Sequence, residues 1–450
     1  MKISNGVKKL EKFLFYFFVF SIPFQTRKIL FLVSPASPAG GSAGKFIEWN
    51  SGFLYFTDLL IVAIIFLAFL RGAIKFKKAD IFLGLFFLIV ILSLITSQNI
   101  GLSIYQFIKL AEFLLLFLYV RTNLEFLGIE KILKIFVVSG GFQALIATLQ
   151  FFNQSSLGLK HIEAGVYNAN IPGVATFFVN GIKFIRAYGT APHPNVLAVF
   201  LLVSIFCLYA IWLKENKSKN YFYFLFSILY FLLFLGLFLT FSRAIIMIFF
   251  GASLLFFFVA FLKFKEKRPR LISLILLFAI CNLLFITMFW PEFKARFLGT
   301  SLEEQAVTLR VYYNNIAILA IKEKPISGLG LGNFVWYLLN NYNLKEFWLY
   351  QPVHNIYLLI ASEIGIFGLI MFLIFLGRIL LIGFRRIFRL QIFFIFYFLF
   401  FIFLALAMID HYFWTIQQSR FLFWIVLALI DGLIVASPRS LTDKAQASGA

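Results

Sequence analysis

The fold class this sequence predicts is an all-α polytopic membrane protein of about twelve transmembrane helices, and three observations carry that reading. Hydrophobic residues fill 62% of 450 positions, 65 of them Phe, while Asp, Glu, Lys and Arg together reach only 13%, about half the share usual for a soluble chain. Apolar runs recur along the whole chain, each long enough for a helix to cross about 30 Å of hydrocarbon. The runs are continuous and do not alternate, so each one satisfies its own backbone as a helix and not as a strand of a closed barrel.

Charge placement fits the same class. A formal net charge of +21 could suggest a nucleic-acid partner, but the cations gather in short clusters between apolar runs. Examples are Lys8-Lys9-Lys12, Arg71-Lys75-Lys77-Lys78, Lys214-Lys217-Lys219, Lys263-Lys265-Lys267-Arg268-Arg270 and Arg378-Arg385-Arg386-Arg389. Every second loop is basic, the positive-inside pattern of a multi-pass protein. The partner this implies is the lipid bilayer, with no nucleic acid. Both termini, including the tail 437–450, are expected on the cytoplasmic side of the inner membrane. Cys207 and Cys281 lie inside apolar runs and read as packing thiols, with no disulfide framework.

In order, the expected spans are 13–33, 53–70, 81–97, 102–120, 132–152, 194–213, 221–239, 244–262, 271–289, 355–377, 391–409 and 421–436, within a single integral domain covering 1–450. The first has a signal-peptide layout, with Lys8-Lys9, an apolar stretch and Ser34-Pro35-Ala36-Ser37. Gln25 to Lys28 interrupt the apolar run and Ile29 to Val33 resume it, which favours a retained, broken helix. Two outer segments, 153–192 and 290–353, are too long to be connectors. In the second, Ser301-Leu302-Glu303-Glu304 reads as a capping box. The helix it opens should run to about Lys324, because Pro325 cannot continue it. Along it, Arg310 and Asn314 share a face. Gly328, Gly330 and Gly332 then make a turn before a second short helix starting at Asn333. They follow no strand, so they are not a dinucleotide fingerprint.

The residues that could carry chemistry are polar groups at the outer ends of spans, where ionisable side chains are costly and usually face a cavity. Arg243, in Thr240-Phe241-Ser242-Arg243, sits in a hairpin with almost no loop. It reads as a phosphate-holding guanidinium or as a snorkelling interfacial arginine; a tight outer hairpin needs no cation for topology, which favours the first. Arg186 and His193 flank Tyr188 to Pro192, with Asn195 opening the next span, and they read equally well as site residues or as interfacial and capping groups. Arg310 has the alternative of a solvated helix face. His354, in Pro352-Val353-His354-Asn355, presents an imidazole suited to proton exchange near neutral pH. Glu363 falls nine positions on, roughly on the opposite face, and makes a poor partner for it. Asp58, Lys109 and Glu112 read as structurally satisfied, with Lys109 and Glu112 paired at i,i+3. Asp410-His411 and Arg420 form another outer polar turn. Metal signatures and nucleophile motifs are absent, so no metal and no cofactor are expected.

Three segments taken together, Arg186 to Asn195, Thr240 to Ala244, and Leu309-Arg310 through Gly332 to His354-Asn355, resemble the O-antigen ligase and polymerase family of bacterial cell-envelope proteins. The family motif of His-Asn, nine residues, Gly, two residues and a small residue is matched by His354-Asn355, Gly365 and Gly368. The resemblance covers roughly residues 180 to 380. It implies a GT-C-like glycosyltransferase architecture with a large helical extracytoplasmic loop. The implied reaction moves a glycan from a polyprenyl (undecaprenyl) pyrophosphate donor to a glycan, lipid or protein acceptor on the outer face, in lipopolysaccharide or other polysaccharide biosynthesis. Arg243 and Arg310 would hold the pyrophosphate, and His354 would take the acceptor proton. Arg186, His193, Asn195, Asn314 and Asn355 would contact substrate, and Gly328, Gly330, Gly332, Gly365 and Gly368 would shape the backbone. Ligase and polymerase are not separable on these residues, with a lean to ligase. A transporter would carry its unusual residues near the midplane, often in repeats; here they cluster at outer ends.

Overall fold

The computed structural model describes residues 5–32, 47–163, 165–215, 220–298, 303–344, 346–384 and 391–435. The chain opens with α1 (Asn5–Ser21), the strands β1 (Arg27–Leu32) and β2 (Ser51–Tyr55), then α2 (Phe56–Leu70), α3 (Ile81–Ile95), α4 (Ile100–Thr122), α5 (Leu124–Leu127) and α6 (Ile129–Asn153). A second hairpin, β3 (Thr176–Val179) and β4 (Ile182–Ile185), leads to α7 (Pro194–Lys214), α8 (Asn220–Leu239), α9 (Arg243–Lys263) and α10 (Arg268–Met288). The long connection that follows holds α11 (Trp290–Phe297), α12 (Glu303–Glu323) and α13 (Phe334–Asn341). The chain then continues through α14 (Ile356–Phe384), α15 (Gln391–Ala407), α16 (Tyr412–Thr415) and α17 (Gln417–Val435).

Among the described residues, eight helices are long and apolar enough to cross a membrane: α4, α6, α7, α8, α9, α10, α14 and α17. Three more apolar helices, α2, α3 and α15, are shorter. The first expected span, 13–33, needs correction. Its helix ends at Ser21, and Arg27 to Leu32 pair antiparallel with Ser51 to Tyr55. The polar break decides this: Gln25 bonds to Gln418 and Arg27 to Glu48, partners that helix continuation would forfeit. The span expected from residue 53 likewise begins as strand. It turns helical only at Phe56, where the Asp58 carboxylate accepts the Tyr55 N–H at 2.8 Å and caps the first turn. The expected capping box at Ser301 and the tail 437–450 lie outside the described residues.

Helices α7 and α17 are almost wholly enclosed, and the rest of the bundle packs round them. Lipid-exposed helices gain nothing from leaving water, so close backbone approach through small residues is what binds them. At Gly140 of α6 an added Cβ would lie 2.5 Å from Ser204 Oγ of α7, and at Gly236 of α8 it would lie 2.6 Å from the Ala144 Cβ. Ser204 Oγ also donates within reach of two carbonyls, Phe136 and Phe200, both at 2.9 Å.

One irregularity organises the end of the bundle that carries the long loops. Helix α14 is broken at Gly365, at φ 78° and ψ 172°. The break frees carbonyls in mid-helix, and the chain leaving α12 uses them. Leu329 N–H donates to Ser362 O at 2.9 Å and Gly330 N–H to Glu363 O at 2.8 Å, while Ile366 N–H donates back to Pro325 O at 2.9 Å. The segments touch: a Cβ on Gly365 would fall 2.0 Å from Ile326 O, and one on Gly328 would fall 2.4 Å from Glu363 O. Asn333 then stitches the segment to the α3–α4 turn, accepting from Asn99 N–H at 2.7 Å and donating to Ser103 Oγ at 2.7 Å.

Gly365→Ala adds both a backbone clash and a disfavoured φ. It should lower stability by about 3 kcal/mol or more, read as a large fall in melting temperature of the detergent-purified protein. Gly377→Ala, in the same helix with nothing within 4 Å of the added carbon, should change little.

Candidate functional site

A cavity of about 480 Å³ opens between the β1–β2 hairpin, the segment 348–354, the 410–412 turn and the ends of α4, α14 and α17. Its walls hold His193, Asn195, Arg310, His354, Asp410, His411 and Tyr412, together with Tyr105, Gln106, Lys109, Glu363, Gln417 and Arg420.

His354 stands just before α14, whose first turn Asn355 caps by accepting the Leu358 N–H at 3.1 Å. Its ring stacks on Tyr313 of α12 at 6.0 Å and meets the His411 ring edge-on at 4.9 Å. His354 Nδ1 is buried and has no hydrogen-bond partner among the described residues. Burial pushes this imidazole's pKa down; the Asp410 carboxylate opposes that shift and Arg310 adds to it. The ring is therefore a neutral acceptor at pH 7, with a carboxylate near enough to favour the imidazolium once a proton arrives. Burial raises the Asp410 carboxyl, while His354, the Tyr412 hydroxyl and the His411 N–H draw it down. The His411 N–H contact is 2.8 Å long.

Asn195 is the hub behind this group. Its side-chain oxygen accepts from Arg186 and, at 2.8 Å, from Ser242 Oγ, and its amide donates to the Tyr412 hydroxyl. The Tyr412 hydroxyl in turn lies close enough to Asp410 for the two to act on each other. Arg186 also donates to Thr240 O at 2.7 Å, which locks the α8–α9 hairpin onto the start of α7. A hydrogen-bonded chain thus runs from Arg186 through Asn195 to Tyr412, which faces Asp410 beside His354. His193 accepts the Asn195 N–H at 3.2 Å as the cap of α7. Burial, then the charge of Arg186, pushes its imidazole down to about 3, so it stays neutral.

Four arginines share one field. Arg243, at the first position of α9, senses Arg310. Arg186 is lowered to about 10, chiefly by burial and further by Arg243, and Arg296 to about 9 by burial, Arg186 and Arg243. Arg296 reaches the hairpin by donating to Phe241 O at 3.1 Å. Cations whose charges sense one another repel, and a multiply charged anion would relieve that repulsion.

The sequence-expected residues therefore separate. Arg310, His193, Asn195 and His354 line the cavity. Arg186 and Arg243 stand behind it, beside the hairpin. Asn355 is a helix cap, and Asn314, although on the helix that carries Arg310, is outside the lining and has a buried, unpartnered Oδ1. Glu363 lines the same cavity as His354 without partnering it, and the carboxylate that acts on His354 is Asp410. Glu363 still has other partners, Trp414 Nε1 at 3.1 Å and the Phe334 N–H at 3.5 Å. Gly328, Gly330, Gly332 and Gly365 all have positive φ, whereas Gly368 does not. Lys109 pairs with Glu112 at 3.6 Å as expected, and also with Asp58. Asp410 and Tyr412 gained no role from sequence, although Asp410-His411 was the one carboxylate adjacent to a histidine on that side. Nothing in sequence marked Arg296.

His354, Asp410 and His411 each offer a donor atom, all within 4.8 Å of one another, a set that could hold a divalent cation. Two features weigh towards an acid–base cluster instead. The charge of Arg310 reaches all three groups, and His411 Nδ1 is committed to Thr415 Oγ1 at 2.6 Å.

Residues 228–373 match the family model described as O-antigen ligase. This stretch, about a third of the chain, contains Arg243, Arg296, Arg310, the glycine turn, His354 and the break at Gly365. No curated protein matches the chain.

Asn195→Ala would strand Arg186, Ser242 and Tyr412 together. The expected cost is about 2–3 kcal/mol, read by thermal unfolding in detergent; an unchanged melting temperature would remove Asn195 from its place as hub.

Proposed function

We propose that this chain, a membrane protein of the O-antigen ligase/polymerase family by its 228–373 domain, transfers a glycan from a polyprenyl pyrophosphate to an acceptor hydroxyl. The observation that carries the reading is the meeting, in one cavity, of an imidazole with an unpartnered buried nitrogen and the forward member of a four-arginine cluster. Arg310 and Arg243 hold the donor pyrophosphate, with Arg186 and Arg296 adding field. The acceptor oxygen attacks the anomeric carbon, and the bond from that carbon to the pyrophosphate oxygen breaks. The electron pair leaves on the pyrophosphate, whose growing charge the guanidiniums stabilise. The acceptor proton passes to His354, and Asp410 steadies the resulting imidazolium. One displacement inverts the anomeric centre. The Lys and Arg pattern supports about twelve crossings, cytoplasmic termini and a site on the outer face of the cytoplasmic membrane. The ligase label is favoured; a polymerase would run the same chemistry with a second glycan repeat as acceptor.

His354→Ala should reduce transfer in membranes by about 10²–10⁴-fold at normal protein level, and unchanged transfer would refute the assignment. Neutralising Arg310 or Arg243 should cost about 10²–10³-fold.

With the His354 pKa pushed below its ordinary value, the neutral base persists into mildly acid solution. Activity should fall only below the usual histidine range and stay level above it. Asp410→Asn removes a group that raises the imidazole's pKa, so the acid limb should move to still lower pH, as a pH–rate profile would show.

Transfer is expected to proceed without a metal. Treatment with EDTA should leave the rate unchanged, and elemental analysis should find no stoichiometric divalent ion. Loss of activity restored by one cation would assign His354, Asp410 and His411 to that ion instead.

A further inference from the structure

A second polar cluster lies at the end of the bundle away from the cavity. Lys77 and Asp80 belong to the α2–α3 connection, Arg121 to α4, Arg378 to α14 and Asp431 to α17. None of them lines the cavity. Arg121 stands about 22 Å further along α4 than Gln106 of the cavity wall, at 1.5 Å per residue.

Arg121 donates to both oxygens of Asp80, one at 2.8 Å, and to Lys75 O at 3.0 Å. It also reaches Asp431 at 3.4 Å. Arg378 faces the same Asp431 carboxylate at 3.7 Å, beyond hydrogen-bond length. Lys77 Nζ is buried and has no hydrogen-bond partner among the described residues, and neither has Arg121 Nε. Burial and then the charge of Arg121 lower the Lys77 pKa; Arg378 adds to them, while Asp431 and Asp80 oppose. The ammonium thus sits in the field of all four neighbours without a bond of its own.

An ion-pair network that only fastened helices would match its charges. Here three cations, Lys77, Arg121 and Arg378, meet two carboxylates, Asp80 and Asp431. A buried ammonium left without a hydrogen bond is costly. The cluster is therefore short of one negative charge, with donors to spare on Lys77 and Arg121.

The surroundings say what carries that charge. Ile81, Leu85, Leu88 and Leu92 of α3 are exposed, as are Ile370, Ile374 and Leu381 of α14, and each set follows one face of its helix. Ile81 comes four residues after Lys77, and Leu381 three after Arg378. A free phosphate or nucleotide would leave both apolar faces unused, and its extra charge would meet Asp80 and Asp431. A zwitterionic headgroup would bring a cation of its own to a cationic cluster. The phosphodiester of an anionic phospholipid carries one negative charge and two acyl chains, which matches the missing charge and the apolar faces together. Basic pockets between transmembrane helices are known places for such headgroups.

We propose that the Lys77, Arg121 and Arg378 cluster binds the phosphodiester of an anionic phospholipid, with the acyl chains laid along the exposed faces of α3 and α14. On the topology proposed above, this lipid belongs to the cytoplasmic leaflet. It fastens the α2–α3 connection to α4, α14 and α17, three helices whose other ends wall the cavity.

The test uses the full chain purified in neutral detergent and freed of lipid. It is titrated with phosphatidylglycerol and separately with phosphatidylcholine and with inorganic phosphate. Thermal unfolding and native mass spectrometry are the readouts. Phosphatidylglycerol should raise the melting temperature saturably and stay bound to the chain, whereas phosphatidylcholine and inorganic phosphate should do neither. Lys77→Gln and Arg378→Gln should each weaken phosphatidylglycerol binding by about fivefold or more. Without lipid, Lys77→Gln should melt no lower than the unaltered chain, because Lys77 has no hydrogen bond to lose. Equal effects of the two lipids, or phosphatidylglycerol binding unaltered in both variants, would overturn the proposal. So would a lower melting temperature of lipid-free Lys77→Gln, which would make the cluster a helix fastening only. Inorganic phosphate reproducing the shift would overturn it too, in favour of a soluble anion.

Discussion

The site depends on a helix that does not complete itself. At Gly365 the hydrogen-bond ladder of α14 stops, and the freed carbonyls of Ser362 and Glu363 are taken by the N–H groups of Leu329 and Gly330. Buried backbone groups must be paired, so the break can exist only with the 325–332 segment seated against it, and the segment can sit there only because Gly365 and Gly328 have no side chains. The two halves of the junction stand on either side of the chemistry. Upstream is α12 with Arg310 and Tyr313, and downstream is the start of α14 preceded by His354. Fixing one against the other sets how far the arginine is from the imidazole.

Asn195 makes the corresponding junction on the other side. It is bonded at once to Arg186, Ser242 and Tyr412, and so ties the α8–α9 hairpin, the start of α7 and the 410–412 turn into one unit. The arginines of the hairpin and the carboxylate beside His354 are thereby set by the same amide. A change at Asn195 reaches both the arginine cluster and the turn that carries Asp410.

Electrostatics sets the character of the site. Four guanidiniums sense one another, with Arg310 alone of them in the cavity wall beside His354, a field that favours an arriving anion and disfavours a cation.

The sequence by itself determined the membrane class, the order of the helices and most of their bounds, because hydrocarbon demands long apolar runs and water demands charge between them. It also marked His354, Arg243, Arg310 and the glycines, since charges at span ends and glycines after a proline are anomalies visible one residue at a time. The strand at Arg27 to Leu32 was hidden, because its partner lies beyond local pattern and its apolar residues mimic a resumed helix. Only the tertiary structure decided that Glu363 faces the same cavity as His354, that Asn355 caps a helix, and that Arg186 and Asn195 reach Asp410 through Tyr412. Those outcomes depend on contacts between residues as far apart as 195 and 412, and periodicity along a chain has no term for distance across a bundle.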